Sequence, residues 1–103
     1  MLITDIEDDN LQTSNPSKFT LDQNYPNPFN PNTIINYALP ENVNVELRVY
    51  DILGSEIATL VNEEKPAGNY EVEFDGSKLS SGIYFYRLQA GSFVETKKMV
   101  LLR

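Results

Sequence analysis

Most side chains of this sequence that could carry out acid–base chemistry are carboxylates. The 103 residues include 15 Asp and Glu but no His and no Cys, so the commonest general base and the thiolate nucleophile are absent. Two carboxylates divide the acid and base roles of glycoside hydrolysis only where a cleft holds them facing each other. Here the acids alternate with apolar residues or fall in turns, which directs them outward. We therefore expect a chain that is not an enzyme and holds no cofactor.

Metal binding has little more support in the residue pattern. His and Cys, the usual zinc ligands, are absent. No run of Asp residues has the spacing of a calcium-binding loop. An incidental calcium site that uses Asp51, Asp75 or a backbone carbonyl stays open, but no dedicated metal site is predicted.

Charge is unevenly distributed along the chain. Residues 1–76 hold 14 acidic and 3 basic residues, whereas residues 77–103 hold 1 acidic and 5 basic residues. Two solvated faces of opposite sign would account for this asymmetry. A domain with a net charge of −7 and no broad basic stripe is not expected to bind nucleic acid.

Residues 1–18 have the composition of a linker. They show no sustained hydrophobic period and contain an acidic cluster between residues 5 and 9, which predicts a flexible acidic linker. The chain also lacks the basic opening of a secretory signal peptide and any apolar run of the roughly 18 residues that span a membrane. If the protein is exported, we expect its signal peptide to lie upstream, with this chain a fragment of a longer one.

Residues 19–103 carry short runs of alternating apolar residues separated by Gly, Pro and Asn. This spacing predicts an all-β domain, an immunoglobulin-like antiparallel sandwich of about seven strands. Tyr84 or Tyr86 fits a tyrosine corner, in which the hydroxyl binds backbone a few residues upstream. We predict strands over residues 19–23, 33–39, 43–50, 56–62, 70–75, 83–90 and 93–102, a polar loop over 63–68 and a hairpin between the last two strands.

The segment 24–32 contains three prolines between aromatic and Asn residues. Proline lacks a backbone donor and fixes φ, so the segment is extended or turning and cannot lie inside a sheet. We expect Tyr25 and Phe29 to plug one end of the sandwich as an apolar lid. A recognition peptide in polyproline conformation is the alternative, and the two roles are compatible.

The last predicted strand is cationic and ends with the chain. Lys97, Lys98 and Arg103 could form a cationic handle for a partner that pairs with this strand. The lysines could equally be charges that discourage aggregation at a sheet edge. Physical reasoning on the sequence leaves both interpretations open.

Several motifs in order resemble the C-terminal sorting domain of type IX (Por) secretion cargo. The resemblance covers residues 19–103, and the family is also similar to the immunoglobulin-like domain of the flagellar hook-capping protein. The motifs are Asn24-Tyr-Pro-Asn-Pro-Phe-Asn-Pro, Ile35-Asn-Tyr-Ala-Leu-Pro, Val49-Tyr-Asp-Ile-Leu-Gly, Pro66-Ala-Gly, Leu79-Ser-Ser-Gly-Ile-Tyr-Phe-Tyr-Arg-Leu and Thr96-Lys-Lys-Met-Val-Leu-Leu-Arg.

The resemblance implies a non-catalytic signal that directs a secreted protein of Bacteroidota and related phyla to the cell surface or exterior. The implied partners are an outer-membrane secretion translocon, an N-terminal passenger domain and, where the domain is cleaved, a surface sortase. No nucleic acid and no membrane span are expected. The signal residues implied by motif are Pro26, Asn27, Pro28, Ser81, Gly82, Tyr84, Lys97, Lys98, Met99 and Arg103.

Two other functions fit a small sandwich of this composition. An accessory carbohydrate-binding module would present exposed aromatic side chains, for which Tyr50, Phe85 and Phe93 are the candidates. A structural or assembly domain of a secreted protein, similar to that of the hook cap, would act through rigid packing or self-association.

Overall fold

A computed structural model describes residues 15–103, so residues 1–14 of the predicted linker lie outside the described part. The described chain forms seven strands in two antiparallel sheets, which confirms the predicted fold class. The described residues contain no helix that is long and apolar enough to cross a membrane. The strands are β1 (Thr20–Leu21), β2 (Asn32–Leu39), β3 (Val43–Tyr50), β4 (Glu56–Lys65), β5 (Gly68–Asp75), β6 (Gly82–Ala90) and β7 (Phe93–Leu101).

The two sheets differ in size and strand order. The three-stranded sheet has the order β1-β2-β5, and the four-stranded sheet has the order β4-β3-β6-β7. Strands β6 and β7 form the predicted hairpin, joined at Gly91 and Ser92. Gly91 has φ of 60°, a left-handed conformation that favours glycine in a two-residue turn. In this order β7 and β4 are the edges of the larger sheet.

Strict alternation in the central strands builds the core. In β3, Val45, Leu47 and Val49 are fully buried, while the residues between them remain accessible. Alternate side chains of a strand point to opposite faces, so one face of each sheet meets the other sheet in an apolar layer. The buried cluster consists of Leu21, Phe29, Ile35, Tyr37, Leu39, Val45, Leu47, Val49, Phe74, Tyr84, Tyr86, Leu88, Ala90, Met99 and Leu101.

The polar loop predicted over residues 63–68 is wrong for most of its length. Strand β4 continues to Lys65, which lies opposite Val43, and β5 already begins at Gly68. Only Pro66 and Ala67 therefore connect the two sheets at this point. The strand was missed because β4 is an edge whose side chains here are charged, with Glu63 and Glu64 exposed and Lys65 half-buried, so no apolar period marks it.

The Pro-rich segment leaves the three-stranded sheet after β1, contacts the edge of the larger sheet and returns to β2. Tyr25 bridges Ile34 of β2, and Phe29 forms a parallel bridge with Leu101 of β7. The predicted lid is confirmed for Phe29, which is 1% exposed, and wrong for Tyr25, which is 77% exposed. The reason is alternation, since Asn24 takes the inward position next to Tyr25 and is 2% exposed.

Candidate functional site

Three segments of the predicted signal meet at one end of the sandwich. The N–H of Phe29 donates to the C=O of Val100 at 2.9 Å, and the N–H of Leu102 donates to the C=O of Phe29 at 3.0 Å. The Asn27 side-chain oxygen accepts the N–H of Val100 at 3.0 Å. The Pro-rich segment therefore occupies the free edge of β7 over its last residues. Residues 99–101 end β7, and Leu102 and Arg103 follow it. We call residues 99–103 together the clamped half of β7.

A buried amide holds the Pro-rich segment in shape. The Asn24 side-chain nitrogen donates to the hydroxyl of Thr33 at 2.9 Å and to the C=O of Pro26 at 3.2 Å. The Thr33 hydroxyl donates to the same C=O at 2.9 Å. Gln23 donates to the Asn24 side-chain oxygen at 2.7 Å and to the C=O of Lys98 at 2.8 Å. Every polar atom of the buried amide thus has a partner, as burial requires.

Tyr86 ties the start of this segment to the larger sheet. Its hydroxyl donates to the C=O of Asp22 at 2.7 Å and accepts the N–H of Asn24 at 2.7 Å. The side chain is fully buried, and this burial raises the pKa of Tyr86 to about 12. A neutral phenol that both donates and accepts fits this position better than a phenolate would.

Arg103 closes the other side of the same end. Its backbone N–H donates to the hydroxyl oxygen of Ser81 at 3.0 Å. Its guanidinium donates to the C=O groups of Leu79 and Gly76, both at 2.9 Å, and to that of Ser77. The guanidinium therefore binds the turn before β6, residues 76–81, and is not a free cationic group.

Gly76 allows the turn to approach the clamped half closely. A Cβ at this position would lie 3.2 Å from Phe29 and 3.3 Å from both Leu101 and the C=O of Pro31. The N–H of Gly76 donates to that C=O at 2.8 Å. In the same turn the N–H of Ser77 donates to the Asp75 carboxylate, and this hydrogen bond is the main cause of the lowered pKa of Asp75.

The β6–β7 ladder carries the remaining signal candidates. Gly82 lies opposite Leu101, and Tyr84 lies opposite Met99. Tyr84 and Met99 are buried, which makes them part of the core. The Tyr84 hydroxyl donates to the C=O of Ser80 at 2.7 Å, so Tyr84 and not Tyr86 forms the tyrosine corner.

The two lysines of β7 have different environments. Lys97 lies opposite the buried Tyr86, so it points toward the inner side of the sheet. Its ammonium group lies 3.1 Å from the Glu95 carboxylate. Lys98 points to the outer side, is exposed and forms no ion pair among residues 15–103. Of the three side chains considered for a cationic handle, Lys98 is the one whose charged group is exposed and has no partner within residues 15–103.

The candidates thus divide by exposure. Pro26, Asn27, Pro28, Ser81, Lys98 and Arg103 are exposed, whereas Gly82 and Lys97 are half-buried. Sequence reasoning did not place Asn24, Gly76 or Tyr86 among the signal candidates, although all three lie where these segments meet. For Asn24 the available signal was a polar residue directly before a Tyr-Pro pair, in a segment assumed to be irregular.

The aromatic candidates for carbohydrate binding do not form one surface. All three are half-buried, and Phe93 stacks on Phe19 with ring centroids 5.4 Å apart, so the expectation of exposed aromatic side chains is wrong. Tyr50 and Phe85 line a surface pocket of about 290 Å³. The Arg87 guanidinium lies 5.2 Å from the Tyr50 ring and donates to its hydroxyl at 2.9 Å. The Tyr50 ring therefore already has a stacking partner.

The two acidic candidates for calcium serve their own turns. The Asp51 carboxylate accepts the N–H groups of Leu53 and Ser55. The Asp75 carboxylate accepts the N–H of Ser77. Within residues 15–103, no three acidic side chains come together in a group that could hold a metal ion.

Comparison with known families identifies the same region. A family model described as secretion system C-terminal sorting domain matches residues 23–102. The matched range begins at Gln23, directly before the Pro-rich segment, and ends at Leu102 in the clamped half of β7. It contains every signal candidate except Arg103. No curated protein matches the chain.

Proposed function

The chain belongs to the family of secretion system C-terminal sorting domains, and on this basis we propose how the secretion machinery recognises the domain. Its function is that of a C-terminal sorting signal for type IX secretion, which directs a protein to the cell surface or exterior. We propose that the signal is the folded surface formed where the Pro-rich segment, the turn before β6 and the clamped half of β7 meet. A linear tail read without the fold would not need these contacts.

The contacts between distant segments support a folded signal. The hydrogen bond from Val100 to Asn27 joins residues 73 positions apart, and the Tyr86 bond to Asn24 joins residues 62 positions apart. The Asn24–Tyr86 hydrogen bond is buried, so leaving its partners unsatisfied would cost about 1–3 kcal/mol, while the Val100–Asn27 bond is exposed and adds position more than stability. A receptor therefore meets Asn27 and Lys98 in fixed relative positions.

Exposure assigns two kinds of role to the candidates. Pro26, Asn27, Pro28, Ser81 and Lys98 are accessible and are proposed to contact the secretion machinery. Tyr84 and Met99 are buried and are proposed to act indirectly, by holding the surface in place. Gly82, Lys97 and Arg103 are proposed to fix the geometry of β7 and the adjoining turn.

The wider assignment follows from the family. We propose that residues 1–18 link the domain, residues 19–103, to an N-terminal passenger and that a signal peptide lies upstream. The proposed partners are the outer-membrane translocon and, where the domain is removed, a surface sortase. The domain is proposed to be non-catalytic, and its likeness to the hook-capping immunoglobulin-like domain is proposed at the level of fold.

Export of a reporter tests the assignment directly. A reporter that carries a periplasmic signal peptide is fused to residues 19–103 and expressed in a host with a type IX system. We expect the reporter in the medium or on the surface, and a fusion without the domain in the periplasm. Retention of the folded fusion in the periplasm would contradict the assignment.

A pair of Asn variants tests whether the folded surface is the signal. Asn27→Ala removes an exposed amide at the clamped end, while Asn44→Ala removes an exposed amide of β3 that lies opposite Glu64. We expect Asn27→Ala to lower the exported fraction and Asn44→Ala to leave it unchanged, with both purified domains still folded. Equal export of the two variants would argue against this surface.

A further inference from the structure

The first part of β7 presents a free sheet edge. In the β6–β7 hairpin, Ala90 and Phe93 close the ladder, so the backbone groups of Val94, Thr96 and Lys98 point away from β6. Within residues 15–103, no hydrogen bond reaches the N–H or C=O of Val94 or Thr96 from the outer side. Only the C=O of Lys98 is used, by Gln23. Such an edge is a template for another strand.

The charged side chains of this free stretch are complementary to those of a second copy in antiparallel pairing. If β7 pairs with a second β7 in antiparallel register centred on Thr96, Val94 lies opposite Lys98 of the other copy. Glu95 then lies directly opposite Lys97 of the other copy, on the inner side of both sheets. The Glu95–Lys97 ion pair within each chain, at 3.1 Å, becomes part of a ring of four alternating charges. Opposite charges that face each other across a ladder are favourable.

We propose that a second copy of this chain binds this edge, so that two four-stranded sheets continue into one sheet of eight strands related by a two-fold axis at Thr96. The two copies exchange backbone hydrogen bonds at Val94, Thr96 and Lys98, the Lys98 carbonyl accepting a second donor beside Gln23. The paired stretch ends where Asn27 and Phe29 already occupy the backbone of Val100. The interface is short and the dimer dissociates readily.

The other long free edges are less suited to self-pairing. Strand β5 carries Glu71, Glu73 and Asp75 on its exposed side, so self-pairing would bring carboxylates together. Strand β4 has a similar Glu63–Lys65 ion pair, but pairing centred on Glu64 would place this carboxylate opposite its own copy, and β4 has two register irregularities against β3. Like charges and bulges both oppose edge pairing. Within the described chain, the charge pattern therefore favours β7.

Sedimentation equilibrium of the 103-residue chain tests the proposal. The measurement is made at physiological ionic strength, because the repulsion between two chains of net charge −7 is then screened beyond about 8 Å. We expect a reversible monomer–dimer equilibrium at protein concentrations up to about 1 mM. A chain that remains monomeric throughout this range would overturn the proposal.

Charge reversal and complementation identify the register. Glu95→Lys alone and Lys97→Glu alone each place like charges opposite each other twice, so each should weaken the homodimer at least about tenfold. In an equimolar mixture of these two variants, every introduced charge faces an unlike charge, and we expect heterodimers. Glu95→Lys/Lys97→Glu should dimerise as the parent does. Dimerisation that is insensitive to the single reversals, or a mixture that does not associate, would overturn the register.

A proline at the centre tests the backbone contribution. Thr96→Pro removes an N–H that points away from β6 and should abolish dimerisation, whereas Thr96→Ala keeps the N–H and should preserve it. Unfolding midpoints show that each variant is folded, and the charge reversals give a second measurement if the proline variant is not. A folded Thr96→Pro variant that dimerises as well as Thr96→Ala would contradict the proposal.

Discussion

The two halves of β7 differ in how many of their outer backbone groups are hydrogen-bonded by other segments. Over the clamped half, Asn27 and Phe29 bind the outer backbone groups of Val100 and Leu102, and Arg103 is bound to the turn before β6. Over residues 94–98, the outer backbone groups have no such cover from the described chain apart from Gln23 at Lys98. The clamped half is therefore hydrogen-bonded on both sides, whereas residues 94–98 form a largely free sheet edge.

The difference separates two tasks that a cationic last strand could perform. The clamped half contributes buried side chains, Met99 and Leu101, and its loss should affect the whole fold. The other half contributes accessible groups, Thr96 and Lys98, whose loss should affect contacts with other molecules. The following substitutions test how sharply stability and recognition divide between them.

Phe29→Ala should have the largest effect. The side chain is 1% exposed and contacts Phe74 edge-on, with ring centroids 6.1 Å apart. Truncation of a buried Phe creates a cavity and typically costs about 3–5 kcal/mol of the free energy of unfolding. Urea denaturation should show this loss, while Tyr25→Ala, at a residue that is 77% exposed, should change stability by less than about 0.5 kcal/mol. Similar losses for the two variants would mean that Phe29 is not a core residue.

Tyr86→Phe should have the next largest effect. It leaves the C=O of Asp22 and the N–H of Asn24 without their partner, which should cost about 1–3 kcal/mol. Tyr37→Phe is the matched control, because the Tyr37 hydroxyl is buried and has no partner among the described residues. We expect this control to be neutral or stabilising by chemical denaturation. A larger loss for Tyr37→Phe would refute the assignment of the hydrogen bonds.

Alkaline pH should weaken the fold through the same two side chains. Burial raises the pKa of both Tyr37 and Tyr86 from 10.0 to about 12. Between about pH 10 and pH 12 the unfolded chain loses phenolic protons that the folded chain keeps, so the free energy of unfolding should fall as pH rises. Tyr37→Phe/Tyr86→Phe should flatten this dependence. An equally steep decline in the double variant would exclude these phenols as the cause.

Arg103→Ala should have a smaller effect, of about 1 kcal/mol. It removes the guanidinium that binds the C=O groups of Gly76, Ser77 and Leu79, but this turn lies at the surface, where water can replace the donors. Thermal unfolding should show a modest shift. Faster hydrogen exchange at the N–H of Leu79, which donates to Gly76 within the turn, would locate the change. Unchanged exchange there would argue against this role.

Lys98→Ala should have the smallest effect on stability, below about 0.5 kcal/mol, since the side chain is exposed and forms no ion pair in the described chain. The same variant should reduce type IX export if Lys98 contacts the secretion machinery. Unfolding curves and export are measured on the same fusion, with Lys18→Ala as the control for loss of an exposed positive charge. Full export of Lys98→Ala would restrict the signal to the clamped end.

The outcome at individual residues shows where sequence reasoning works and where it fails. Alternating apolar residues correctly predicted the strand over 43–50, and Val45, Leu47 and Val49 are buried because a central strand between two others must bury one face. Edge strand β4 was underestimated at Glu63–Lys65, because an edge tolerates charge on either face. For the tyrosine corner, Tyr84 and Tyr86 share the same period, so only hydrogen-bond geometry distinguishes them.

The candidate site divides in the same way. Sequence motifs alone selected the Pro-rich segment, the turn before β6 and the last strand, and local pattern determined that the domain is a β-sandwich with a cationic final quarter. The tertiary structure decided that these segments meet and that Arg103 is bound to a turn. Side-chain period is a property of neighbours along the chain, whereas the Asn27–Val100 contact joins residues 73 positions apart and depends on how the two sheets stack.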